Sequence, residues 1–296
     1  MHHFWLQLSK PDNIPIAALL VFVIGYTIYA LRKALKNDRQ GYLDEARLSE
    51  KIQVWPSLVR VEFLASLFVM VILVFWSFLI DAPLEEPANP TLTPNPSKAP
   101  WYFLGLQEML VYFDPWIAGV VLPTLIILGL MAIPYIDINE KGNGYYTFKE
   151  RKYSVVIFCF GFIVLWVSLI VLGTFWRGPG WYFFFPWEEW DTHRVVAITN
   201  VDFTERFFNI HTRLADNSLN PLAFILGGVF VIGYYALMPL YWLLKRNKSD
   251  FLKRLGPIRY NTVAFLFLTM MALPIKMILR IGFNIKYIWV TPWFNI

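Results

Sequence analysis

The sequence predicts an all-α integral membrane protein of about six transmembrane helices, with both termini outside. Three observations carry that expectation. Of 296 residues, 57% are hydrophobic and only 16% are charged, against roughly 25% charged in soluble globular chains. Six apolar runs lie at about 14–31, 59–80, 116–136, 153–176, 221–244 and 261–283, most of them near the ~20 residues that cross a ~30 Å hydrocarbon core. Basic residues, finally, collect in alternate loops.

The first run has no basic segment ahead of it and no small-residue cleavage site after it. It ends in Arg32, Lys33 and Lys36, the pattern of a retained helix and not of a secretory signal. The loop that follows adds Arg39, Arg47, Lys51 and Arg60; the third loop ends in Lys149, Arg151 and Lys152; the fifth holds Lys245, Arg246, Lys248, Lys253, Arg254 and Arg259. Segments 81–115 and 177–220, between these, are acidic or mixed. The positive-inside rule then puts the basic loops in the cytoplasm and makes 81–115 and 177–220 the outer loops. The last run is the weakest, because Lys276 and Arg280 interrupt it. They are expected to reach toward a headgroup layer, and five spans is the fallback. The net charge of +5 needs no nucleic acid, since it follows from these loops.

The single cysteine, Cys159, sits mid-span beside Phe158 and Phe160 and reads as a packing residue; no CxxCH haem-attachment signature exists. The outer loops are more informative. Segment 81–100 holds Pro83, Pro87, Pro90, Pro94, Pro96 and Pro100, whose fixed φ angles preclude a helix and make a stiff excursion. It runs into Trp101, Tyr102, Phe103 and a helical-looking stretch, Leu104 to Tyr112. Residues 181–190 are dense in aromatics, which suits a membrane interface with or without a ligand.

Glu86-Pro87-Ala88-Asn89-Pro90, Thr93-Pro94 and Trp101-Tyr102-Phe103 together resemble the loop between helices E and F of cytochrome b, in the form found in subunit IV of chloroplast-type complexes. There the loop reads E-P-A-D-P-x-x-T-P and then P-E-W-Y-F. Trp55-Pro56 is similar to the W-P ahead of helix E, and Ile133-Pro134-Tyr135 to the end of helix F. The resemblance covers about 55–176. It implies a subunit IV-like E-F-G helix core, a 1–54 helix and basic loop before it, an aromatic outer loop at 177–220, and two additional helices in 221–296. One departure stands out. The family's P-E-W-Y becomes Ala99-Pro100-Trp101-Tyr102, so the glutamate that family members use to accept a quinol proton is absent from its place.

The resemblance implies a membrane subunit of a respiratory cytochrome bc-type complex, forming part of an outer-face quinol oxidation site. Oxidising a quinol releases two protons and two electrons. That chemistry needs an apolar slot for ring and tail, a few polar groups and a proton acceptor. Pro100, Trp101, Tyr102 and Phe103 are the expected quinol-binding residues, with Tyr102 able to hold a quinol oxygen. Glu108, about two helical turns past Pro100 in an apolar context, is the expected proton acceptor; Glu85, Glu86 and Asp114 are alternatives. Menaquinol is the expected quinone species.

The histidines, His2, His3, His193 and His211, all lie outside the apolar runs, so bis-histidine haem ligation across the membrane is not expected. By the resemblance, haem b and a Rieske iron–sulfur cluster belong to partner subunits: a haem-bearing cytochrome b N-terminal-type chain and a Rieske protein. A cytochrome c subunit and a dimeric assembly in the inner (cytoplasmic) membrane complete the implied picture. No resident metal is expected, and His193 and His211 read as solvated or interface residues in a loop that suits docking of an electron-transfer subunit. Glu62, close to Arg60 near the start of its run, reads as an ion-pair partner or as an aid to proton uptake. The alternative function is a structural subunit of a redox complex with a degenerate quinol site. Transport is disfavoured, because internal repeats and mid-membrane charges are scarce.

Overall fold

The computed structural model describes residues 2–11, 13–40, 53–81, 87, 89–91, 93–139, 146–194 and 200–296. Its elements in chain order are α1 (His2–Leu8), α2 (Ile14–Gln40), α3 (Val54–Leu79), α4 (Trp101–Met109), α5 (Ile117–Ile136), α6 (Lys152–Trp176), α7 (Phe203–Phe208), α8 (Pro221–Lys245) and α9 (Asp250–Phe283). Among the described residues, β structure is confined to isolated bridges. Helices α2, α3, α5, α6, α8 and α9 are each long and apolar enough to cross a membrane. The chain is therefore an all-α, multi-pass membrane protein. Its apolar runs set the spans, since lipid leaves backbone polar groups no partner except one another.

Two spans outrun the expected limits. α2 continues to Gln40 because Arg, Lys, Ala and Leu follow its apolar run, and α9 begins at Asp250 with a short helical segment that breaks at Gly256. α6 is helical throughout but carries wide i→i+5 turns at Cys159–Trp166 and Leu172–Trp176, a feature hydropathy does not register. The peptide bonds Trp55–Pro56 and Asn95–Pro96 are cis.

The chain forms two compact units. The first comprises Met1–Ser97, Lys141–Cys159 and Phe175–Thr192. In it the extension of α2 docks on residues 146–149. Asn37 Nδ2 donates to the Tyr146 carbonyl at 2.9 Å, and Asp38 Oδ2 accepts from the backbone N–H of Phe148 (3.0 Å) and Lys149 (2.8 Å). Ala34, one turn before Asp38, is buried on that face. The aromatic loop closes on itself: Phe184 N–H donates to the Trp176 carbonyl at 2.9 Å, and Phe185 stacks on Trp187 at 4.9 Å. Gly180, at φ 66°, donates its N–H to Asn95 Oδ1 at 2.6 Å and so ties this loop to the proline-rich one. α3 buries none of its residues, an apolar surface suited to lipid and not to water.

The second unit comprises Lys98–Glu140, Phe160–Thr174 and His193–Ile296. Its core gathers Met109, Tyr112, Phe113, Ala118, Leu165, Leu169 and Leu273, drawn from α4 and its following turn, α5, α6 and α9. α8 and α9 pack as an antiparallel pair. Tyr234 Oη donates to the Leu268 carbonyl (2.7 Å), Tyr235 Oη pairs with Thr269 Oγ1 (3.0 Å) and Tyr260 Oη donates to the Met238 carbonyl (3.1 Å). Between helices in lipid, such bonds contribute about 0.6 kcal/mol each. The C-terminal residues fold back over this pair, with Val201 bridging Ile285 and Val290 bridging Asn295.

Candidate functional site

The candidate site is built on α4. Pro100 caps it at φ −51°, ψ 148°, a conformation that turns the stiff preceding segment into the helix. Two further contacts fix this start. The Ala99 N–H donates to Gln107 Oε1 at 2.7 Å, and Lys98 Nζ donates to the Thr174 carbonyl at 2.7 Å. The helix is amphipathic. Leu104, Gly105, Glu108 and Met109 are buried, followed by Tyr112 and Phe113, on a face spaced at i, i+4 and i+8. It packs against residues 167–171 of α6. Gly105 is the point of closest approach: a Cβ there would lie 3.2 Å from the Trp166 ring. Gly173 gives the matching room to Leu104, whose side chain would meet a Cβ at 2.9 Å.

The sequence-predicted residues divide between the two faces of this helix. Trp101, Tyr102 and Phe103 are exposed and form a continuous aromatic surface, with Trp101 edge-on to Tyr102 at 5.8 Å and Tyr102 against Phe103 at 4.7 Å. Pro100 is exposed beside them. Glu108 is 0% exposed. Its Oε1 accepts from Tyr112 Oη at 2.9 Å. Glu108 lies six positions after Tyr102, which puts them about 120° apart around the helix and about 9 Å along it. The structure therefore brings Pro100, Trp101, Tyr102 and Phe103 together and sets Glu108 behind them. A buried carboxylate needs hydrogen-bonding partners to be tolerated, and Tyr112 is one that the i, i+4 spacing supplies.

Of the alternative acids, Asp114 is committed to structure. Its Oδ1 accepts from the Trp116 N–H at 3.1 Å at the head of α5, and its Oδ2 accepts from Asn295 Nδ2 at 3.3 Å. Glu85 and Glu86 lie outside the described residues. Glu62 is exposed on α3 and makes no ion pair with Arg60 among the described residues. His193 and His211 are exposed; His211 Nδ1 lies 3.3 Å from Glu205 Oε1. None of the six candidate spans contains a histidine, and among the described residues no three His, Cys, Asp or Glu side chains gather as a metal site would require.

Lys276 corrects the expectation that it reaches a headgroup layer. It is 2% exposed, its Nζ donates to the Lys286 carbonyl, and it lies over the rings of Phe113 (5.7 Å) and Tyr287 (5.8 Å). Asp202 supplies an opposing charge that acts on it. The returning C-terminal segment, invisible to hydropathy, supplies the carbonyl and ring that make burial tolerable. Asp202, outside the spans, has its pKa raised by burial, a shift opposed by the hydrogen bond from Thr212 Oγ1 at 2.8 Å. Lys98, Gln107 and Tyr112 are thus site-shaping residues that the sequence did not single out. The i, i+4 relation of Glu108 to Tyr112 was the one available signal.

No solved structure matches the chain. The family described as cytochrome b (C-terminal)/b6/petD matches residues 87–176, the stretch that carries α4, α5 and α6 and leaves α3 and Trp55-Pro56 outside. That stretch is similar to the C-terminal part of cytochrome b and its subunit IV-type relatives, and it lies within a longer multi-pass membrane chain.

Proposed function

We propose that the protein is a membrane subunit of a cytochrome bc- or b6f-type complex and forms part of its quinol oxidation site. The observation that carries this reading is the start of α4: a proline-capped helix, inside the family segment, whose exposed residues are Trp101, Tyr102 and Phe103 and whose buried face holds a carboxylate. The exposed rings offer an apolar wall for a quinol ring and isoprenoid tail, and Tyr102 Oη holds a quinol oxygen. Glu108 accepts one of the two protons. The separation along α4 exceeds what one water can bridge, so a chain of waters carries that proton, and the second proton leaves directly to the water outside. The two electrons leave on partner subunits, to a Rieske iron–sulfur cluster and a haem b, because no span of this chain carries a histidine. The quinol becomes quinone as both electrons and both protons depart. On this reading α4 lies on the outer face of the inner (cytoplasmic) membrane, with both termini outside and proton release outside, an orientation that the charge pattern of the loops supports. A menaquinol substrate, a cytochrome c subunit and a dimeric complex belong to the same reading.

One observation favours a second reading, a structural subunit with a degenerate site: Pro100 stands where family members carry their proton-accepting glutamate. Purification of the complex separates the two. The quinol-oxidising reading expects a co-purifying b-type haem, a Rieske-type electron paramagnetic resonance signal and quinol turnover. It also expects turnover to fall roughly 100-fold in Glu108→Gln and substantially in Tyr102→Phe. Full turnover in both variants, with the redox partners present, assigns the chain the structural role.

A further inference from the structure

The junction between α8 and α9 takes no part in the quinol reading, and its chemistry points elsewhere. Between residues 245 and 259 stand six cationic residues, Lys245, Arg246, Lys248, Lys253, Arg254 and Arg259, with Asp250 the one carboxylate among them. All six are exposed. Lys253 pairs with Asp250 at 3.3 Å, and Arg259 Nε donates to the Tyr135 carbonyl at 2.9 Å. The other four meet no carboxylate among the described residues.

The backbone collects these charges. After α8 the chain turns within four residues, the Ser249 N–H returning to the Lys245 carbonyl at 3.1 Å. Ser249 then caps the next helix through Leu252 N–H. Leu252 and Leu255 are buried, which leaves Lys253 and Arg254 on the exposed side. At Gly256 the backbone takes φ 76°, ψ 166°, a region open essentially to glycine alone. Pro257 follows, so residues 250–255 form a short helix separate from the span proper. Beside it Tyr260 stacks on Tyr241 at 6.3 Å and packs on Trp242 at 5.2 Å, an aromatic group of the kind that sits at headgroup level. Phe251 and Ile258 are exposed at 56% and 81%.

A topological bias toward basic loops accounts for an excess of cations. It does not account for cations without a carboxylate partner that flank, along the chain, a group of packed rings and two exposed apolar side chains, with the helix broken at a glycine. We infer that this junction binds an anionic phospholipid. The headgroup phosphate lies among Lys245, Arg246, Lys248 and Arg254, the rings of Tyr241, Trp242 and Tyr260 stand at the level of the ester groups, and Phe251 and Ile258 meet the acyl chains. Charge complementarity selects this occupant, because juxtamembrane Lys and Arg clusters attract anionic headgroups. The inference does not depend on quinol chemistry.

The test uses the intact detergent-purified complex, delipidated and offered phosphatidylglycerol, phosphatidylcholine or inorganic phosphate, with bound lipid counted by native mass spectrometry. The expected result is retention of phosphatidylglycerol over phosphatidylcholine, unaffected by millimolar phosphate. Each charge removed lowers affinity about five-fold, so Lys248→Gln/Arg254→Gln is expected to lose it more than ten-fold. Arg32→Gln/Lys36→Gln, which removes two exposed cations from the end of α2, is expected to leave it unchanged. Undiminished retention in the first variant overturns the inference. So does equal loss in the second, which would mean diffuse attraction, and so does displacement of the lipid by phosphate, which would mean a free-anion site.

Discussion

Glu108 and Lys276 are the most deeply hidden acid and base among the described residues, and they differ in how far their sequence contexts announce them. Glu108 stands four residues after Leu104 and four before Tyr112, so a helix through 101–112 puts all three on one face, and its burial follows from the helix itself. Lys276 interrupts an apolar span, and no local pattern reveals that Lys286 and Tyr287, returning past the helix end, will cover it. Two predictions belong here. Tyr112→Phe removes a donor from a fully buried carboxylate and is expected to destabilise the protein by about 1–3 kcal/mol, read as a lowered thermal midpoint. Lys276→Met keeps the chain length and removes the charge, leaving the Lys286 carbonyl short of a donor and Asp202 without its opposing charge. Its cost is expected to shrink when Asp202→Asn is added. The coupling, about 0.5–3 kcal/mol for interacting neighbours, is read from a double-mutant cycle of thermal midpoints. Strict additivity would mean that the two side chains do not sense one another.

At the scale of elements, the spans were legible because length and apolarity alone decide them. All six runs became helices, even the one broken by Lys276 and Arg280. What hydropathy did not convey is where polar helix continues past the lipid-matching run, as α2 does to Gln40, or where a helix breaks just ahead of that run, as α9 does at Gly256. The α4 helix was legible from its flanking proline and its spacing, but its anchoring was not. The bonds from Ala99 to Gln107 and from Lys98 to Thr174 join residues 8 and 76 positions apart. Gln107→Leu is expected to release the start of α4, seen as faster amide hydrogen exchange over 99–103 with the core of α6 unchanged; the lost net hydrogen bond is about 1 kcal/mol. Gly256→Ala forces a Cβ into a backbone region that excludes it and is expected to cost about 1–3 kcal/mol, although the added atom meets open space. If Gly256→Ala proves neutral, the break in α9 is not held by glycine.

For the whole molecule, the part least visible in the sequence is the assembly that closes the ends of α8 and α9. It is made of isolated bridges, a six-residue helix and the tail 284–296, none of which carries a periodic signal. Its one sequence-level mark is the Asp202 and Glu205 capping box at the start of α7. Asp202 also ties this assembly to pH. Burial raises its folded pKa above 3.8, and the Thr212 hydrogen bond and the Lys276 charge offset only part of that rise. A carboxyl group that is harder to ionise in the folded state favours folding while protonated. Its contribution is therefore complete below pH 3.8 and is lost as pH rises through the elevated folded value. Asp202→Asn keeps an oxygen for Thr212 and cannot ionise, so it is expected to flatten the dependence of thermal stability on pH above 3.8. Melting the wild type and the variant across that window checks this. A wild type that instead gains stability relative to the variant as Asp202 ionises would mean that Lys276 outweighs burial and that the pair is held together by charge.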